Sequence, residues 1–153
     1  LIKKGYNVQL EIYGDGIMRS EVENYIKSHE LENSILLYGN VNKETIKNAF
    51  RETHFLIFIS KSEGWPKVVA EAMFWRCLPI SSNVSCVSYM LNREERGSLV
   101  NIHASEKEIS KIIVSYIKNE NVYQKKVLSA QIWSRKYTLN RFQFEIKRIL
   151  ENE

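Results

Sequence analysis

Residues 55–73 read Phe-Leu-Ile-Phe-Ile-Ser-Lys-Ser-Glu-Gly-Trp-Pro-Lys-Val-Val-Ala-Glu-Ala-Met, and this stretch decides the fold. Phe55 to Ile59 is an apolar run too short for a helix and rich in β-branched and aromatic residues. It predicts a buried strand ending near Ser60. Pro66 predicts the first position of a helix, because the amide it lacks would find no partner there and its fixed φ is already helical. The free N–H groups near Lys67 and Val68 would then point back toward the intervening loop, an arrangement that favours a bound anion. Glu63 falls in that loop and Glu71 on the helix, so two carboxylates flank a candidate phosphate site.

Working outward, the same alternation repeats on both sides. Val8 to Tyr13 predicts a strand, broken by Gly14-Asp15-Gly16 before a helix over about 18–29. Ser20 and Glu23 have capping-box spacing within that stretch, which would move the helix start later. Ile35 to Tyr38 predicts a second strand closed by Gly39-Asn40, and Asn42 opens a helix carrying Ile46, Ala49 and Phe50 on one side. After the helix from Pro66 to about Trp75 come a strand over Leu78 to Ser81, a short helix around Val87 to Leu91, and a last strand over Gly97 to Val100. Three helical stretches follow, over about 105–119, 121–136 and 139–151.

Strands that alternate with helices argue for an α/β fold, a Rossmann-like parallel sheet with helices on both faces, because parallel strands need crossover connections. Ligands in such sheets bind at the carboxyl ends of the strands, where Gly14 to Gly16, Gly39-Asn40 and Glu63-Gly64 all fall. Residues 1–153 read as one domain, with 104–153 as a helical tail. Leu1 falls in what reads as the end of a helix, and the chain is expected to be part of a longer protein, without the first strand and helix of its domain.

Composition sets broad bounds. Of 153 residues, 44% are hydrophobic and 26% charged, ordinary for a globular protein with a real core. The net charge of +4 is spread along the chain, a leaning toward anionic ligands or an anionic membrane surface and not a nucleic-acid footprint. Cys77 and Cys86 have no zinc or redox spacing and read as reduced structural thiols of a cytosolic protein. His29, His54 and His103 have no ligand spacing; His54, next to the third strand, is a candidate packed histidine. Asp15 is the only aspartate, so an Asp-x-Asp metal motif is absent.

With these residues in place, the chain resembles the C-terminal, donor-binding half of a GT-B glycosyltransferase. The resemblance is to the large retaining family of family 4 type, the glycosyl transferases group 1. That family carries two glutamates separated by seven residues, matched here by Glu63-Gly-Trp-Pro-Lys-Val-Val-Ala-Glu71-Ala-Met73. Gly14-Asp15-Gly16, Gly39-Asn40-Val41 and Leu78-Pro79-Ile80 agree in order, so the resemblance covers about residues 8–100. It implies that Glu71 holds the ribose hydroxyls of a nucleotide-sugar donor and that Glu63 contacts the transferred sugar as the catalytic carboxylate. Gly64 and the amides at the start of the motif helix would approach the diphosphate together with Gly14 and Gly16, and Gly39, Asn40 and Val41 would border the base; Trp65, Pro66 and Lys67 count among the donor-binding residues, with Trp65 reading equally as packing between domains.

The implied reaction is retaining and metal-independent transfer of a hexosyl group, with no cofactor beyond a UDP-, GDP- or other nucleotide-sugar donor. A cell-surface polysaccharide or glycolipid is the implied acceptor. The implied setting is the cytoplasm of a bacterium, at the inner face of the membrane, with an N-terminal acceptor domain as partner and no nucleic acid. The family's diphosphate-binding Arg and Lys precede the first strand seen here, so this chain alone is expected to bind nucleotide weakly and catalyse nothing. Arg76 stands where the family usually has glycine, and Val84-Ser85-Cys86-Val87 replaces its usual Gly-Gly loop. Two other readings of the fold are a non-catalytic nucleotide-binding or interaction module and a GT-B-fold sugar epimerase or phosphorylase. The tail residues Trp133, Arg135, Lys136, Tyr137, Arg141 and Phe142 read as an amphipathic helix or as a membrane-surface face.

Overall fold

Each predicted apolar run forms a strand, and every strand pair is parallel. The computed structural model describes residues 1–151, so the last two residues of the expected 104–153 tail lie outside the described residues. In chain order the elements are β1 (Leu10–Tyr13), α1 (Arg19–Ser28), β2 (Ile35–Gly39), α2 (Lys43–Glu52), β3 (Phe55–Phe58), α3 (Lys67–Phe74) and β4 (Leu78–Ser82). Then come α4 (Val87–Met90), β5 (Ser98–Val100), α5 (Glu106–Lys118), α6 (Glu120–Ser134) and α7 (Leu139–Glu151). The chain divides into two compact units, Leu1–Asn48 and Ala49–Glu153. The strands pair accordingly, in the orders β1-β2 and β3-β4-β5.

In the first unit, β1 and β2 pair with Leu10 opposite Ile35, and the register skips one residue so that Tyr13 faces Gly39. The rings of Tyr13 and Tyr38 stack at 4.9 Å across this irregularity. The chain start is a 3-10 turn, Ile2–Lys4, stopped by Gly5 at φ 79. The capping-box spacing at Ser20 and Glu23 is not used as a cap. Met18 takes the N-cap place without a side-chain bond, and the Glu23 carboxylate accepts from Arg19 Nε at 2.8 Å instead. Asn42 does cap α2, its Oδ1 accepting from the Thr45 N–H at 2.9 Å.

The second unit is built around β4, whose five residues are all buried. It lies between β3 and β5, with Phe55 opposite Leu78 and Ile80 opposite Ser98. Successive strand side chains point to opposite faces, and the clusters divide by that rule. Leu56 and Phe58 pack with Val69 and Met73 of α3, Val87 and Met90 of α4, and Ala130 and Trp133 of α6. Phe55 packs on the other face with Leu78, Tyr116 of α5, and Tyr123 and Val127 of α6. The parallel sheet therefore has helices on both faces, as the alternation predicts. Gly97 permits the close approach of β5 to the proline in β4: a Cβ there would lie 2.5 Å from the Pro79 carbonyl oxygen.

Several boundaries differ from the sequence reading. Strand β3 stops at Phe58, before Ser60, and α6 starts at Glu120, where the Asn119 side chain accepts from the Val122 N–H. His54 is exposed and not a packed core histidine; its backbone carbonyl accepts from Leu78 N–H and the Tyr123 hydroxyl. Helix α7 buries no residue and leaves Leu139, Phe142, Ile149 and Leu150 exposed. Among the described residues, no helix is long and apolar enough to cross a membrane.

Candidate functional site

The loop between β3 and α3 is fixed by side chains from the end of β4. Ser82 is buried, and its Oγ accepts from the Ser60 N–H at 2.9 Å while donating to the Ser60 carbonyl at 2.8 Å. Ser60 in turn donates its hydroxyl to Glu63 Oε1 at 2.7 Å, which orients a half-buried carboxylate. The next residue is held from another direction: the Gly64 carbonyl accepts from Ser85 Oγ at 2.8 Å and from Cys86 Sγ at 3.4 Å. The carboxyl ends of two neighbouring strands thus set the conformation of Glu63-Gly64. That is where ligands of open parallel sheets bind.

Pro66 is not the first helical residue. It sits at the N-cap with φ −75 and ψ 89, an extended conformation that ends the loop, and α3 starts at Lys67. The Val69 N–H is bound to the Pro66 carbonyl at 3.0 Å. The N–H groups of Lys67 and Val68 precede that bond and have no acceptor among the described residues, so the expected pair of free amides is present. Lys67 and Glu71 are both exposed, and no ion pair joins them among the described residues. The Glu71 carboxylate, one turn into α3, is therefore available to a ligand. Trp65 is 44% exposed, and its ring contacts Trp133 at 6.4 Å and Tyr137 at 5.9 Å, beside the end of α6.

At the end of α3, Arg76 occupies a left-handed conformation at φ 72. The Arg76 N–H bonds the Met73 carbonyl at 3.2 Å and the Cys77 N–H bonds the Ala72 carbonyl at 2.9 Å, the paired bonds of a Schellman stop. The turn that glycine ordinarily makes is kept, and the Arg76 guanidinium donates to Gln124 at 3.3 Å.

The first unit brings a second set of candidates together. The Gly14 N–H donates to the Gly39 carbonyl at 2.7 Å, joining the two strand ends, with Gly14 at φ 111 and Gly39 at φ 67. The Gly16 N–H donates to Asp15 Oδ1 at 2.8 Å, and Gly16 and Asn40 are exposed while Val41 is half-buried. A Cβ on Gly39 would lie 3.1 Å from Arg19 Nη1, so the guanidinium rests against this junction. Its other contacts are Asp15 at 3.8 Å and Glu23 at 2.8 Å.

Sequence reasoning missed Arg19 and the serines 60, 82 and 85. The serines carried a visible signal, since three of them fall at or just beyond the carboxyl ends of predicted strands, where a buried hydroxyl has backbone to bond. Arg19 carried none beyond its i,i+4 relation to Asp15 and Glu23. Among the described residues, no three His, Cys, Asp or Glu side chains are grouped so that they could hold a metal ion.

Comparison with known proteins bears on the fold and the family. The chain is 29% identical over 155 residues to Protein CapJ of Staphylococcus aureus, an alignment covering 99% of this chain and 38% of that protein. It thus spans about two fifths of that relative's length. Its fold superimposes on a glycosyltransferase from Rickettsia africae with a TM-score of 0.79 and 23% identity, covering 99% of this chain and 42% of the other. Anabaena HepE, solved in complex with UDP, gives 0.80 and 18%, covering 95% of this chain and 41% of HepE. These structures share the fold at low identity and speak for the fold alone. Residues 1–131 match the family described as Glycosyl transferases group 1, and the chain belongs to that family.

Proposed function

We propose that this chain is the nucleotide-sugar-binding part of a retaining, metal-independent hexosyltransferase. The observation that carries the reading is the rigid Glu63-Gly64 loop at the ends of β3 and β4, followed by the free amides of Lys67 and Val68 and the unpaired Glu71. In this reading Glu71 accepts hydrogen bonds from the two ribose hydroxyls through its two oxygens. The free amides and Gly64 meet the diphosphate, whose departure they favour electrostatically. Glu63, held by Ser60, faces the transferred sugar. The glycine junction at Gly14 and Gly39, with Gly16, Asn40 and Val41, supports a role for those loops in donor binding. HepE is described in complexes with UDP and UDP-glucose, which makes UDP the first nucleotide to try. The acceptor in this proposal is a cell-surface polysaccharide or glycolipid, glycosylated in the cytoplasm at the membrane.

Calorimetric titration with UDP, GDP and their sugar conjugates, without added metal, tests the proposal. It is run on this chain and on the protein expressed from its complete coding sequence, each beside Glu71→Gln. One nucleotide should bind, and Glu71→Gln should weaken it by about 1.5–3 kcal/mol, the contribution of hydrogen bonds to a charged group. Binding that Glu71→Gln leaves unchanged, or no binding by the whole protein, refutes it.

A further inference from the structure

A cavity of about 300 Å³ opens on the outer side of α6, near the size of small-ligand pockets. Arg96, Lys125 and Lys136 line it, with Ser129 between them and Leu128, Ile132 and Trp133 as apolar wall. Lys125, Ser129 and Ile132 follow one another at spacings of four and three residues, so a single face of α6 presents them, and Lys136 joins them from the turn just past the helix end. No carboxylate lines the cavity, and none pairs with any of its three cations among the described residues. The neighbouring acids are engaged elsewhere: Glu94 accepts from the Leu99 N–H at 3.1 Å, and Glu95 accepts from the Asn92 side chain.

Arg96 supplies the second observation. Its Nε is buried and has no hydrogen-bond partner, the one such side-chain atom among the described residues. Its Nη1 reaches the Met90 carbonyl at 3.3 Å, and its guanidinium lies 5.1 Å from the centre of the Trp133 ring. A guanidinium keeps its charge at any ordinary pH, and its fork of donors matches phosphate oxygens. Here the guanidinium is held against an aromatic ring with its Nε unpartnered, and Lys125 and Lys136 line the same cavity.

We infer that this cavity binds the phosphate group of an organic phosphate with an apolar stem. Arg96, Lys125 and Lys136 neutralise the phosphate, and the Ser129 hydroxyl is a further donor. Leu128 and Ile132 are 51% and 56% exposed and would cover the stem. The cavity shares no residue with the Glu63 loop or with Glu71, so the inference goes beyond the donor-binding reading. A soluble alkyl phosphate and an anionic lipid headgroup present the same chemistry.

The test follows the Trp133 indole resonance of the 153-residue chain while inorganic phosphate or hexyl phosphate is added at constant ionic strength. A second arm pellets the chain with vesicles of phosphatidylcholine, alone or mixed with phosphatidic acid. Hexyl phosphate should shift Trp133 and bind more tightly than inorganic phosphate. Lys125→Ala/Lys136→Ala, both solvent-facing changes, should weaken binding by about 25-fold, roughly fivefold for each cation at an anionic surface. Pelleting only with phosphatidic acid, lost in the double variant, identifies a lipid as the source; a response to hexyl phosphate without pelleting identifies a soluble phosphate. No Trp133 shift with either phosphate and no pelleting, or equal binding by the folded double variant, overturns the inference. No nucleotide is used, so failure here is separable from failure of the donor-binding reading.

Discussion

Ser82→Ala removes the hydroxyl that holds the end of β3, and its cost follows from the geometry. Two bonds are lost, at 2.9 and 2.8 Å, and the Ser60 N–H and carbonyl both lose their partner. A buried group left unpaired costs about 1–3 kcal/mol. Ser60 is half-buried, so water can replace part of each bond. The lower end of the range for each group gives a total of about 2 kcal/mol. With a urea dependence of about 1.5 kcal/mol per molar, the unfolding midpoint should fall by roughly 1.3 M. Ser81→Ala is the control: the residue is equally buried on the same strand, but its hydroxyl makes only one long bond, 3.3 Å, to the Ser82 carbonyl. Hydrogen exchange adds a local reading, since the Ser60 amide should exchange faster in Ser82→Ala alone. A midpoint within about 0.3 M of the parent, or a loss no larger than for Ser81→Ala, would refute the assignment of Ser82 as the clamp of the Glu63 loop.

Two other changes probe the same unit. Arg76→Gly should stabilise the protein by about 0.5–1 kcal/mol, because the left-handed conformation at φ 72 costs a side chain about that much beyond the exposed bond to Gln124. Thermal unfolding should then shift upward by about 2 °C, and a downward shift would count against that strain. Burial pushes the Cys77 thiol up from 9.0 to about 11, the Thr53 hydroxyl pulling weakly the other way. The folded state therefore keeps the proton that the unfolded state releases above pH 9.0, so stability is unaffected below that pH and falls as pH rises from 9.0 toward about 11. Cys77→Ala should flatten this alkaline decline, read from urea midpoints across the window, and an unchanged slope would contradict the burial cause.

What was legible in the sequence was local. The β3 run, the turn at Gly64 and the helix after Pro66 each show in a few adjacent residues, because period, proline and glycine act over one turn of chain. The errors sit where a distant residue intervenes. Strand β3 stops early because the backbone of Ser60 is taken by the Ser82 side chain and not by a strand neighbour. Pro66 is pushed out of the helix where the Gly64 carbonyl is tied to Ser85 and Cys86. Contacts such as Trp65 with Trp133, or Gly97 against Pro79, leave no periodic trace, since either partner alone reads as an ordinary aromatic or glycine. The paired glutamates were legible as a motif, and their difference in surroundings was not. Glu63 is half-buried and bonded to Ser60, whereas Glu71 stands exposed.

The two departures from expected glycine have a common physical form. Arg76 has φ 72, and Ser85, within the stretch where the resemblance leads one to expect a Gly-Gly loop, has φ 48. In both places a non-glycine residue holds a left-handed conformation, so the surrounding structure and not the residue's own preference sets the turn. Each side chain makes a bond that glycine could not make, Arg76 to Gln124 and Ser85 to the Gly64 carbonyl. The second bond bears on the site. Ser85 Oγ, together with Cys86 Sγ, holds the Gly64–Trp65 peptide from the side opposite in sequence to the Ser60 and Ser82 clamp. A Gly-Gly loop would leave that carbonyl without these donors. In this chain the loop after β4 therefore helps to set the direction of the Glu63 backbone, and a change there would be felt at Glu63 before it was felt at Glu71.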